Sequence, residues 1–149
     1  MTITFTVRNP ISINRMYGNR RGLGSKGRYL TAEGKAFKER IAAAALAMRQ
    51  ELLWPGNLWR IRRAELSYQL YDCRLDPDAP RKATKDALEG ILYVNDRLVQ
   101  DGRAPLPIQD GLGHRMVVTV EILDLIPDTE AHHLEAKTTL AAIKRKATR

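Results

Sequence analysis

Asp76-Pro77-Asp78-Ala79-Pro80-Arg81-Lys82-Ala83-Thr84-Lys85-Asp86-Ala87-Leu88, followed after a short break by Asn95-Asp96, is the stretch on which the reading of this chain turns. It gathers carboxylates around a lysine in a protein that otherwise carries 25 Lys and Arg against 17 Asp and Glu, a net charge of +8. Proline biases the residue before it towards extended backbone, so Asp76 is expected to be extended. In extended chain residues i and i+2 project to the same side, and Asp76 and Asp78 can then aim at one point. Two carboxylates that close repel unless a proton or a cation lies between them. In a basic chain, the natural use is a hard divalent cation that meets a phosphate.

A helix is expected directly after the acidic pair. Pro80 suits a first helical turn, where no amide hydrogen bond is lost, and Asp78 is the candidate N-cap. At 100° per residue Ala83, Ala87, Leu88, Ile91 and Leu92 fall on one face, and Lys82, Asp86 and Glu89 on the other. Asp78, Lys82 and Asp86 then line one polar stripe. Spacing alone also fits an N-cap followed by an i,i+4 salt bridge on a solvated helix.

The same run, D-x-D-x-x-x-K with Asp86-Ala87-Leu88 in the helix and Asp96 just before a short strand, resembles the core motif of the RusA-type Holliday junction resolvases. A second block agrees in order and spacing. Pro10-Ile11-Ser12-Ile13-Asn14-Arg15-Met16-Tyr17 is similar to that family's P-x-S-x-N-x-x-Y entry, and Ala32-Glu33-Gly34-Lys35-Ala36-Phe37 to its A-E-G helix start. The resemblance spans about residues 3 to 123. It implies that Asp76, Asp78 and Asp96 hold Mg²⁺, or Mn²⁺ in its place, that Lys82 joins them in catalysis, and that the protein is a homodimer. The chain departs from the pattern in carrying one arginine, Arg74, before the first aspartate, and Asn95 in place of the first of a pair of aspartates. Grip on the substrate then falls to Arg81, Arg97 or the N-terminal loop.

Composition is consistent with a polyanion partner, and 149 residues suit one domain of ordinary size. No apolar run approaches the length of a membrane span. The N-terminus opens with the alternation Thr2-Ile3-Thr4-Phe5-Thr6-Val7, which reads as a strand and not as a signal peptide. Cys73 is the only cysteine, so no intramolecular disulfide forms and a cytoplasmic setting, in a bacterium or for a bacteriophage in its host, is expected.

The order of elements follows from periodicity. Ile3, Phe5 and Val7 mark a first strand. Pro10 to Arg28 reads as a loop with Arg15, Arg20, Arg21, Lys26 and Arg28 and no acidic residue. Thr31 caps a long helix with the stripe Phe37, Ile41, Ala44, Ala45, Met48 and Leu52, which Trp54-Pro55-Gly56 ends. Ala64, Leu66, Tyr68 and Leu70 alternate as a second strand leading into the acidic motif. A motif helix to about Leu92, a short strand near Arg97 to Gln100 and a last strand from Val117 to Leu123 complete it. The expected fold is α/β in the mixed, α+β sense: a small mixed sheet with two long helices packed on it. Residues 1–125 form the endonuclease-like domain, and 126–149 a basic, helical extension.

Five positive charges without a counter-charge make the loop a candidate for phosphate contact, and Asn14, Arg15, Arg20, Arg21, Lys26, Arg28, Arg74 and Arg81 are the candidate DNA-binding residues. The glycines around Gly22 and Gly24 lack phosphate-loop spacing, so no nucleotide cofactor is expected. His114, His132 and His133 read as surface histidines, Trp54 and Trp59 as core or subunit contacts, and Cys73 as an inert thiol. The sequence reading is an endonuclease that cuts branched, four-way DNA junctions without a membrane. The alternatives are a non-catalytic junction binder and a nuclease for other branched DNA.

Overall fold

The computed structural model describes residues 1–19, 27–51, 59–93 and 95–127. Arg20, Arg21, Lys26, Leu52, the Trp54-Pro55-Gly56 break, His132, His133 and the C-terminal extension beyond Pro127 lie outside the described residues.

Strand β1 (Thr2–Arg8) alternates buried and exposed, with Ile3, Phe5 and Val7 inward and the threonines outward. That alternation is what a half-buried strand requires. After Pro10, which is buried, a single helical turn α1 (Ile13–Met16) is followed by a two-stranded antiparallel ribbon, β2 (Tyr17–Asn19) with β3 (Arg28–Leu30). The segment expected as plain loop is therefore structured at both ends. Its strands are too short and polar to give a periodic signal.

Helix α2 (Ala32–Glu51) begins where expected: the Thr31 hydroxyl oxygen accepts from the Gly34 amide at 3.0 Å, satisfying one of the first-turn donors. Phe37, Ile41 and Ala45 are buried, and Ala44 and Met48 pack against them. Strand β4 (Trp59–Tyr71) carries the expected inward row Ala64, Leu66, Tyr68 and Leu70. Helix α3 (Arg81–Leu88) is shorter than expected, because Glu89 leaves helical geometry at ψ 131° and Gly90 takes φ +79°. Ala83, Leu88 and Leu92 are nonetheless buried on one side. A 3₁₀ turn (Asp96–Leu98) leads into β5 (Val99–Asp101), and β6 (Arg115–Pro127) closes the fold, longer at both ends than its apolar core.

The main sheet has the order β1-β6-β4-β5, antiparallel except for the parallel pair β4 and β5. The parallel pair is joined by the crossover that contains α3, as a parallel connection demands. This is the mixed α+β architecture expected, with α2 against β1 and α3 against α2.

Candidate functional site

The acidic motif leaves the sheet at one rim. Arg8, Arg115 and Tyr71 are in register across β1, β6 and β4, so Asn9, His114 and Asp72 stand next to one another beyond that rim. Asp72 has φ 50°, and its carboxylate accepts from the amides of Asp110, Gly111 and Gly113 at 2.8, 3.0 and 2.7 Å. Those bonds, first among them Gly111, hold its pKa below the ordinary carboxylate value. Asp110 in turn takes the Arg115 guanidinium, which lies 4.0 Å from the centre of the Tyr71 ring. The start of the motif segment is thus tied to the 110–113 loop by three hydrogen bonds.

From there the chain folds back. The Tyr68 hydroxyl donates to the Pro77 carbonyl, and the Ala79 amide donates to the Asp76 carbonyl at 2.9 Å. Pro77 and Asp78 are therefore the corner of a turn, and the extended run expected through Asp78 is replaced by a bend. The N-cap expectation is corrected too. Pro80 occupies the cap position of α3 at φ −87°, with no side-chain cap bond, because the turn places the Asp78 carboxylate on Arg81 instead. Asp76 and Lys82 are exposed, and Asp78 retains 81% of its side-chain exposure despite a 3.0 Å contact with Arg81.

Arg81 is the centre of this end of α3. One guanidinium nitrogen meets Asp78, another lies 3.3 Å from Asp101 on β5, and the group stands 5.7 Å from the centre of the Tyr68 ring. Burial pushes the Tyr68 hydroxyl up to about 12, partly offset by the adjacent guanidinium. Lys85 lies 2.6 Å from the same Asp101 oxygen and donates to the Val99 carbonyl at 3.0 Å. Asp101 is held below the ordinary carboxylate value, chiefly by its hydrogen bond to Lys85 and then against its partial burial by Arg81. Asp101 was not legible as part of the site. Its only sequence signal is its place in a short strand whose pairing with β4 the sequence does not reveal.

Asp86 does not stand with Lys82. It is paired at 3.2 Å with Lys38 from α2. Asp96 lies at the other end of α3, beside Glu89 and Tyr93: burial and then the Asp96 charge raise both of their pKa values. The eight residues of α3 span about 12 Å at 1.5 Å each. Among the described residues, no three His, Cys, Asp or Glu side chains form a group that could hold a metal ion. Asp76, Asp78 and Asp96 are not gathered into such a group among the described residues. Asp76 and Asp78, hard oxygen donors exposed on one turn, fit an ion such as Mg²⁺ or Mn²⁺ in chemistry.

The DNA-binding candidates divide similarly. Asn14, Arg28 and Arg74 are exposed. Arg15 is engaged by Glu33 through two hydrogen bonds of 3.0 and 2.5 Å. Arg62 faces Asp124 at 3.8 Å on a β4–β6 irregularity, and Cys73 is buried. No helix among the described residues is long and apolar enough to cross a membrane. No family model matches the chain, and no curated protein sequence matches it.

Proposed function

We propose that this chain is a divalent-metal-dependent endonuclease of the RusA type, which cuts four-way DNA junctions by phosphodiester hydrolysis. The observation that carries the reading is the presentation of the motif: Asp76, Asp78 and Lys82 are all exposed on one turn and the helical turn after it. That turn is braced by Tyr68 and Arg81 in a chain of net charge +8. Exposed carboxylates on a basic protein repel the phosphates they would meet, so a pure binder gains nothing from them.

In this reading Asp76 and Asp78 hold Mg²⁺ or Mn²⁺. A bound ion of this kind polarises the phosphoryl oxygen and acidifies its water. Lys82, with no carboxylate partner among the described residues, faces solvent and supplies positive charge to the oxygens of the scissile phosphate. Arg81 sets the direction of the Asp78 carboxylate. Asp96, at the far end of α3, serves the carboxylate pair of the second copy in a homodimer. Two equivalent sites in a two-fold dimer match the two cuts that a junction needs. Such a protein works in the bacterial cytoplasm, where branched DNA arises in recombination and repair.

The test is direct. Purified protein is incubated with a synthetic four-way junction and a matched linear duplex, with Mg²⁺ or EDTA, and the nicks are mapped. Paired nicks on the junction that require Mg²⁺ support the reading. The Arg81–Asp78 pair favours one second reading, a structure-selective binder without chemistry, because a neutralised carboxylate no longer repels phosphate. Junction bound but never cut, with any divalent ion, would establish it. Nicks confined to flaps or other branches would name a different branched substrate.

A further inference from the structure

A cleft of about 370 Å³ opens beside the same rim, between β1, α1 and α2. Its walls include Asn9, Arg15, Glu33, Arg40 and His114. The Arg40 guanidinium is fixed there by donating to two backbone carbonyls, Arg8 at 3.2 Å and Asn9 at 3.0 Å, and it lies 5.6 Å from the centre of the Phe37 ring. None of these partners carries a negative charge. Arg40 is therefore a positioned cation whose charge is not compensated by any carboxylate among the described residues. Glu33, the one acid in the cleft, is occupied by Arg15 in a two-bond pair. Its two arginines and Glu33 sum to one net positive charge, beside the Asn9 amide and the His114 ring.

We propose that this cleft binds a phosphate of the DNA backbone, as a subsite of the nuclease reading on which it rests. The register places it well. Arg8 on β1 and Tyr71 on β4 are level with one another across β6. Two strand spacings separate them, about 10 Å, and five residues after Tyr71 the chain enters the acidic turn at Asp76. A DNA strand that lays one phosphate against Arg40 can thus run along the rim towards Asp76 and Asp78. A fixed guanidinium suits phosphate because its planar fork matches two oxygens and it loses little freedom on binding. Glu33 is then a brake: it occupies Arg15, the second cation of the cleft.

Junction binding by the full-length protein in EDTA, measured over a range of salt, tests this without any cutting. Arg40→Gln removes one phosphate contact, so the log–log salt slope falls by about 0.9 and affinity at 0.1 M salt drops about eightfold. Glu33→Gln acts in the opposite sense, freeing Arg15: the slope steepens by about as much and binding tightens about eightfold. Arg40→Lys, which keeps the charge, retains most of the slope. Thermal melts of each variant identify any loss that comes from unfolding, and the gain in Glu33→Gln cannot arise that way. Salt slopes unchanged in both Arg40→Gln and Glu33→Gln would overturn the cleft while leaving Mg²⁺-dependent cutting intact. Binding that follows these changes in a protein that never cuts would support the cleft and overturn the nuclease.

Discussion

The Lys38 ammonium of α2 lies 3.2 Å from the Asp86 carboxylate of α3. The acid one turn beyond Lys82 is thereby bound to the neighbouring helix, and Lys82 is left to solvent. A salt-bridged surface lysine contributes little to anything, whereas a free one beside two exposed carboxylates is available to a phosphate.

Lys82→Ala should therefore lower the cleavage rate by roughly a hundredfold, the scale of losing one charge-stabilising group. Junction affinity should barely change. Lys38→Ala, which frees Asp86 to reach back towards Lys82, should give a smaller loss of rate. Single-turnover cutting at saturating protein measures both, and a Lys82→Ala rate equal to wild type removes the residue from the mechanism.

Asp76→Asn and Asp78→Asn should each abolish cutting while binding in EDTA survives or tightens, since each removes a donor and also a repulsion against phosphate. Asp96→Asn should be inactive too, for a different reason: it fails the second copy. Mixed dimers of Asp78→Asn with Asp96→Asn contain one intact site if Asp96 acts across the dimer, and none if it acts within its own chain. Recovery of single-strand nicking on mixing is the expected result, and inactive mixtures would return Asp96 to its own chain.

Asp101 gives a pH dependence with a definite sign. Its pKa in the folded state is depressed below the ordinary 3.8, mainly by Lys85. The stabilisation is present above that ordinary value and is lost as the pH falls below it, through the folded pKa. Denaturant midpoints should fall on going from pH 5 towards pH 2, by less in Asp101→Asn than in wild type. Its carboxylate is about half exposed, so solvent screening keeps the difference small.

Gly34 is the stability prediction. A Cβ at this position would lie 2.5 Å from the Met16 carbonyl oxygen and 3.0 Å from the Met16 Cα, and neither atom can swing aside as a side chain end would. Gly34→Ala should cost about 1–3 kcal/mol through this overlap, although alanine is the better helix former. Thr31→Ala, which removes the cap on the Gly34 amide, should cost about 1 kcal/mol. Urea unfolding of the two variants decides their order.

Strands β1 and β4 and the helix from Thr31 were legible because each carries a long apolar row at a single period, and burial follows it residue by residue. The short elements were not. The ribbon β2–β3 consists of three-residue strands whose partners meet through Tyr17–Leu30 and Asn19–Arg28, a pairing with no periodic trace. At the site, the sequence located the exposed motif residues. It misjudged what each pairs with, because Lys38–Asp86 and Arg81–Asp101 are contacts between elements distant in the chain. A helical wheel shows only neighbours on the same helix.

The close approach at Gly34 also joins two separated stretches of the sequence. The Thr31 hydroxyl donates to the Arg15 carbonyl, the Thr31 amide to the Met16 carbonyl, and the helix start rests on that same carbonyl through Gly34. Pro10 to Tyr17 and Ala32 to Phe37 are two halves of one clasp. Their letters record the shape of a joint. A chain that kept the clasp and lost Asp76 and Asp78 would keep this joint, because no contact within it involves either carboxylate.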